Sequence, residues 1–287
     1  MDRLLLPIVW LAWGLSYPLM AWSLEAVDLF SGRLILMPFS GLILLGIGAW
    51  NGAAVLPERR LWKQLALTGL FNMGLFQVFL IAGIATLGPS RTPIIVYTMP
   101  AWSALFAVFL LKERITPYVV LSLALSLGAV GIIISQESAA RAAPVGTLLT
   151  LLAAISFGIG TVLTKRMGMR GDVTINAAWQ ILLGAVPVVG VWLFYSNNAY
   201  FHPENVRGLF ALAWLALISN VLAYACWFRV IRALPASVAS LTTMIVPCIG
   251  FASSAVMVGG KITWLDFVAL GLIVAAVSLV LLRSAKT

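Results

Sequence analysis

Ten stretches of about twenty mostly apolar residues, separated by short polar, Pro or Gly breaks, leave this chain few folds to choose from. A run of that length, at ~1.5 Å per residue, crosses the ~30 Å hydrocarbon core of a bilayer as an α-helix. The runs are Leu4 to Leu24, Ser31 to Trp50, Leu65 to Thr86, Thr92 to Leu111, Pro117 to Ser135, Val145 to Leu163, Asn176 to Tyr195, Leu209 to Ile231, Ser237 to Val258 and Trp264 to Leu282. A membrane β-barrel would instead show ~10-residue alternating segments, so the fold class is an all-α integral membrane protein with ten transmembrane helices. Composition excludes a water-soluble alternative: 62% of residues are hydrophobic and 9% charged, against roughly half and a quarter in soluble domains. The first run comes after a short basic start, and Ala21-Trp22-Ser23 loosely resembles a signal-peptide cleavage site. Its length, and a counterpart inside the chain, argue that it is retained.

A net charge of +9 invites a nucleic-acid reading, which the placement of the charges excludes. With the N-terminus in the cytoplasm, thirteen Lys and Arg residues fall on the inner side, and Arg91, Arg141, Arg207 and Lys261 on the outer side. That asymmetry predicts a multi-pass membrane protein with both termini cytoplasmic. The partners are then the lipid bilayer and a small-molecule substrate. Cys226 and Cys248 lie in apolar runs and imply no disulfide framework.

The segment Leu87 to Thr116 recurs 147 positions later as Leu234 to Thr263, with Pro100 over Pro247 and Ile115-Thr116 over Ile262-Thr263. Similarly, Trp13-Gly14 returns as Phe157-Gly158 at an offset of 144. The chain therefore reads as two five-helix repeats, 1–143 and 144–287. Five crossings is an odd number, so the second repeat is inserted with the opposite orientation, an architecture of many secondary transporters. A proline in a membrane helix cannot donate to the carbonyl four residues back, which leaves Val96 and Thr243 with free acceptors near the midplane. Pro100 and Pro247 are expected close together across the pseudo-two-fold axis.

Around those prolines the sequence places aromatic and weakly polar residues: Trp13, Tyr17, Gln77, Tyr97, Phe157, Tyr224, Ser240, Thr243 and Met244. Met73, Gln77 and Leu80 lie over Asn220, Tyr224 and Trp227 at spacings that make each trio a helix face, expected to look into a shared cavity. Asn72, on another face, is expected to bond between helices. The fifth and tenth helices carry small residues suited to close packing between halves or subunits; oligomeric state stays open, a monomer included.

No Asp, Glu, Lys or His falls in the middle of any of the ten helices. The expectation is transport without a titrating membrane carboxylate, with no metal site and no cofactor. Arg33, near the outer end of the second helix, is the one charge clearly inside an apolar run, with Gln180 at its repeat position. Two readings are open for it: a snorkelling side chain paired with Glu25 or Asp28, or an outer-vestibule residue that attracts a substrate carboxylate. Lys112-Glu113-Arg114 reads as an interfacial anchor, Glu113 neutralising its neighbours or capping the fifth helix.

Taken together, the ten helices in two inverted halves, Trp13-Gly14, Arg33, Pro100 and the LLKERIT end of the fourth helix resemble the drug/metabolite transporter superfamily. The likeness is to its ten-helix, EamA-type branch of bacterial metabolite and amino-acid exporters, and it covers essentially the whole chain. It implies a membrane transporter that moves amino acids, aromatic ones included, and related amphipathic metabolites or drugs out of the cytoplasm by alternating access. The resemblance implies the bacterial inner (plasma) membrane as its location, and the substrate is expected at the wall around the repeated prolines: Trp13, Tyr17, Gln77, Tyr97, Pro100, Phe157, Tyr224, Ser240, Thr243, Met244 and Pro247. A nucleotide-sugar carrier would need several midplane cations, and only Arg33 is available. A passive channel would differ in lacking saturable, competitive flux. A membrane enzyme would need paired carboxylates or metal-ligand clusters, whereas the nine acidic residues stand singly in loops.

Overall fold

The structure is a computed structural model that describes residues 5–136, 142–168, 171–226, 245–259 and 262–284. Trp227, Ser240, Thr243 and Met244 lie outside the described residues.

Each expected crossing appears as helix, but four are not uniform. The first, α1, consists of Leu6–Gly14 and Ser16–Ser23, divided at Leu15. Pro18 explains the joint, since it has no N–H for the Gly14 carbonyl, while the Ser16 hydroxyl donates to the Trp13 carbonyl. After α2 (Ser31–Trp50), α3 starts at Trp62–Gly69, passes through a π-helical segment at Leu70–Leu75 and ends as Phe76–Leu87. The fourth crossing, α4, is broken into Thr92–Val96 and Met99–Leu111. Pro100 sits in the first turn of its second part, where a missing N–H costs least. The proline thus separates two helices rather than bending one. Lys112, with φ 57°, ends α4 in the left-handed region. Next come α5 (Pro117–Ser135), α6 (Ala142–Met167) and α7 (Val173–Tyr195). Beyond them α8 runs over Val206–Cys226 with a second π-helical segment at Leu215–Leu222. α9 (Ile245–Met257) and α10 (Trp264–Ser284) complete the bundle. Seven crossings are long and apolar enough to span a membrane by length and composition, and with α1, α9 and α10 they make an all-α membrane bundle of ten.

The packing repeats along with the sequence. α2 lies on α7, where Gly41 meets Leu182 and Gly48 meets Ile175; α5 lies on α10 through Ala129, Val130 and Ile133 against Ala269, Ile273 and Val277. Between these layers α3 packs on α6, and its repeat equivalent α8 packs on α1. With apolar lipid as solvent, burial gives little net drive, and close approach of backbones carries the association instead.

Two glycines show how the close approach is achieved. A Cβ on Gly14 would stand 2.6 Å from Cβ of Ile249 in α9, and one on Gly158 would stand 2.9 Å from Cβ of Trp102 in α4. Gly14 and Gly158 are 144 residues apart, and Trp102 and Ile249 are 147 apart. The aromatic-Gly pair is therefore the seat on which α1 meets α9 and α6 meets α4. The π-helical segments obey the same symmetry, because Leu70–Leu75 moved by 147 falls on Leu217–Leu222.

Those segments correct one expectation. Met73, Gln77 and Leu80 do not share an inward face: Met73 packs directly on Gly184 of α7, and Leu80 is buried in the core. Bonding from i to i+5 delays the turn and rotates the rest of the helix relative to the 3.6-residue period.

Candidate functional site

Where α4 breaks, the turn Tyr97-Thr98 is held by its own bonds. The Thr98 hydroxyl donates to the Ile95 carbonyl (2.7 Å), and the Trp102 indole donates to that hydroxyl (3.1 Å). Tyr97 therefore projects from a fixed corner, and it packs against both hydrophobic clusters of the bundle. Next to it, Pro93 of α4 and Tyr17 of α1 converge on Gly250 of α9, where a Cβ would stand 2.8 Å from the Tyr17 ring and 3.2 Å from Cβ of Pro93. With Ile94, Ile95 and Phe251 buried beside them, the three helices are closed on one another towards the expected outer end. The contact between α4 and α9 thus falls at Pro93 and Gly250. Pro247 is buried one turn away, beside Val246, whose carbonyl faces Gly14.

The other expected wall residues form two aromatic pairs. Trp13 meets Tyr224 edge-on with centroids 5.6 Å apart, and its indole donates to the Ser219 carbonyl at 3.1 Å. Phe157, the repeat equivalent of Trp13, lies 5.2 Å from Phe76. Phe76 was not expected; it enters because the π-helical segment turns it toward α6. Each lobe also ties its helix pair with a serine: Ser219 donates to the Ala12 carbonyl (2.9 Å) and Ser156 to the Phe71 carbonyl (2.8 Å). Gln77 comes just after the π-helical segment of α3, and its side-chain oxygen is buried without a hydrogen-bond partner.

Asn72 and Asn220 bond between helices, Asn72 to Thr164 and Gln180 (3.2 Å each) and Asn220 to Ser40 (3.3 Å). At ~0.6 kcal/mol or somewhat more each, such bonds fix register rather than bind solute. Two cavities lie at the ends of the bundle, away from the aromatic pairs. One, of about 660 Å³, is lined by the loop after α3 and the start of α10 and includes Arg91, Gln136 and Asp266; the other, of about 280 Å³, lies between Pro57 and Asp172.

The expected outer end has a cap of its own. The loop after α1 is tied to the loop before α8 by the Val27–Phe201 bridge, by His202 N donating to the Ala26 carbonyl (2.7 Å) and by Arg207 on Glu25. Burial raises the pKa of the Tyr200 phenol there, and the charge of Asp28 adds to the effect. At the same end, near the start of α2, lies Arg33, 4% exposed, with Nε and Nη2 lacking any partner. Its expected pairing with Glu25 or Asp28 is not made: Glu25 is held by Arg207, and Asp28 uses Oδ1 to cap Phe30 N and Ser31 N. At the opposite end Glu113 reaches across to Lys165 of α6 at 3.0 Å.

Comparison with known proteins agrees with this architecture. The model of the EamA-like transporter family matches residues 4–135 and again 144–282, once per repeat. The uncharacterized transporter YoaV of Bacillus subtilis is 26% identical over 83% of this chain and 82% of its own length. The uncharacterized inner membrane transporter YedA of Escherichia coli is 24% identical over 98% and 92%. A solved crystal structure superposes on 99% of this chain and 98% of its own with a TM-score of 0.66 at 19% identity, a likeness of fold. With a family match over nearly the whole length of a ten-helix membrane bundle, the chain is a membrane transporter, not an enzyme, and it belongs to the EamA-like transporter family.

Proposed function

We propose that the protein exports amino acids, aromatic ones among them, and related amphipathic metabolites from the cytoplasm by alternating access. Repeats 1–143 and 144–287 are oppositely oriented in this reading, and both termini are cytoplasmic. The observation that carries it is an aromatic contact in each half of the bundle, Trp13 with Tyr224 and Phe157 with Phe76, in a bundle where Tyr97 projects from the break in α4 and Gln77 keeps a buried oxygen without a donor.

An apolar wall with a few polar tips is the usual make-up of a small-molecule site. An aromatic solute stacking there gains ~1 kcal/mol beyond area burial, and an ammonium group over a ring face ~1 to 2 kcal/mol when desolvated. Tyr17, Pro100 and Pro247 complete the wall, to which Ser240, Thr243 and Met244 belong by sequence. In this reading Arg33 attracts the solute carboxylate at the outer vestibule.

Counterflow of radiolabelled amino acids in proteoliposomes tests it. Tyr97→Ala or Phe157→Ala should weaken transport of aromatic solutes more than that of small aliphatic ones. Equal losses for all solutes at unchanged expression would mean that the rings only pack.

A further inference from the structure

We propose that Arg33 and Asp28 form a second, outer subsite for the zwitterionic head of an α-amino acid, distinct from the aromatic wall. It rests on the amino-acid reading above and deepens it, since it demands both charges of the solute. Two buried groups of opposite charge are left with unused bonding capacity. Arg33 Nε and Nη2 are buried without an acceptor, and Asp28 Oδ2 is buried without a donor, at the same end of α2. A guanidinium stays protonated at any physiological pH, so this charge cannot be removed by titration. An isolated buried charge is costly to the fold unless something pairs with it.

Nearby acidic and basic groups do not fill that role. Glu25 forms a bidentate pair with Arg207, and Asp266, at the far side of the outer end, is held by Arg91. Asp28 itself is fixed by two backbone bonds through Oδ1, 3.2 Å from Phe30 N and 3.1 Å from Ser31 N, which leave Oδ2 buried and unused. Asp28 lies three residues before the first residue of α2, and Arg33 is the third residue of that helix. A carboxylate accepting from Arg33 and an ammonium donating to Oδ2 would satisfy both ends at once. Neither a purely anionic nor a purely cationic solute does so. Asp28 belongs to the cap itself, its N donating to the Tyr200 carbonyl at 3.3 Å, so the subsite is accessible when the cap opens to the outside.

The repeat supports a ligand role over a packing role. Gln180, the equivalent of Arg33, accepts a hydrogen bond from Asn72 at 3.2 Å and so does its work within the bundle. Arg33 has no such bond through Nε or Nη2.

The test uses the full-length protein in oriented proteoliposomes, with three probes that share an indole ring: tryptophan, tryptamine and indole-3-propionate. Each is added to the outer face, and its inhibition of tryptophan transport is measured. The wild type should be inhibited at least ~10-fold more strongly by tryptophan than by either single-charge analogue. Arg33→Gln should lower tryptophan to the potency of tryptamine, and Asp28→Asn, which keeps a capping oxygen, to that of indole-3-propionate. Arg33→Lys should retain part of the preference. Unchanged preference in both neutral variants would overturn the subsite while leaving the aromatic-wall reading intact. A wild type that transports no amino acid would overturn both.

Melting of the ligand-free protein gives an independent readout. Arg33→Gln should melt no lower than the wild type, because no bond from Nε or Nη2 is lost. A large drop would show Arg33 to be a structural residue and would overturn the proposal.

Discussion

Asp266 opens α10 from within the bundle, with 1% of its side chain exposed, and it offers the sharpest test of how that end of the bundle is held. Its Oδ1 accepts from Arg91 Nε and Gln136 Nε2, both at 3.1 Å, and its Oδ2 accepts from Thr263 N at 2.8 Å. Three helices, α4, α5 and α10, therefore meet on one carboxylate. Replacing one member of a buried ion pair costs about 3–5 kcal/mol, because the other charge is left buried. Arg91 is 19% exposed, which places Asp266→Ala toward the lower end, about 3 kcal/mol. Asp266→Asn keeps an acceptor for Thr263 N and should cost less, about 1–2 kcal/mol. Replacing both partners, Arg91→Met with Asp266→Leu, removes the stranded charge, so the double variant should lie close to the wild type. Melting of the purified protein in detergent reads these differences at roughly 2–4 °C per kcal/mol for a chain of this size. Asp266→Ala within about 2 °C of wild type, or a double variant as unstable as the two single changes added together, would refute this account of the pair.

Gly14→Val and Gly158→Val should each destabilise by about 1–3 kcal/mol, since new side-chain atoms must displace Ile249 or Trp102. Gly131→Val and Gly271→Val, where a Cβ meets nothing within 4 Å, are the controls and should melt near the wild type. Single cysteines near Glu58 and Asp172 should be protected from an impermeant thiol reagent in intact cells, and one near Asn197 labelled; the reverse pattern would overturn the proposed orientation.

Helix number and the internal repeat were readable because they depend on properties that add along the chain. Twenty apolar residues are needed to span a bilayer whatever their neighbours, and Trp13-Gly14 or Pro100 can be aligned with their copies without knowing any contact. Helix geometry within a crossing was not so readable. A π-helical segment carries no composition signal: LFNMGL and LISNVL scan as ordinary apolar helix. Both occur where a polar residue, Asn72 or Ser219, bonds to a neighbouring helix, and such partners cannot be inferred from spacing. The missed phase shift removed Met73 from the inward face and brought Phe76 onto Phe157. Arg33 failed differently. The sequence offers two carboxylates within eight residues, but whether either is free depends on Arg207, 174 positions away, which takes Glu25.

Comparison of the repeats separates packing from function more sharply than either copy alone. Where equivalent positions keep the same chemistry, as Gly14 and Gly158 do, both make the same kind of helix crossing, and the motif is explained by packing. Where they diverge, the copies have been released from a shared structural role. Gln180 and Arg33 occupy equivalent places on α7 and α2, yet one completes a hydrogen-bonded junction with Asn72 while the other carries a buried charge with Nε and Nη2 unsatisfied. A purely architectural need at that position is met by an amide, as the second repeat demonstrates. A guanidinium there adds only cost to the fold, so its presence points to something outside the fold that pairs with it, and in a transporter the component that comes and goes is the solute.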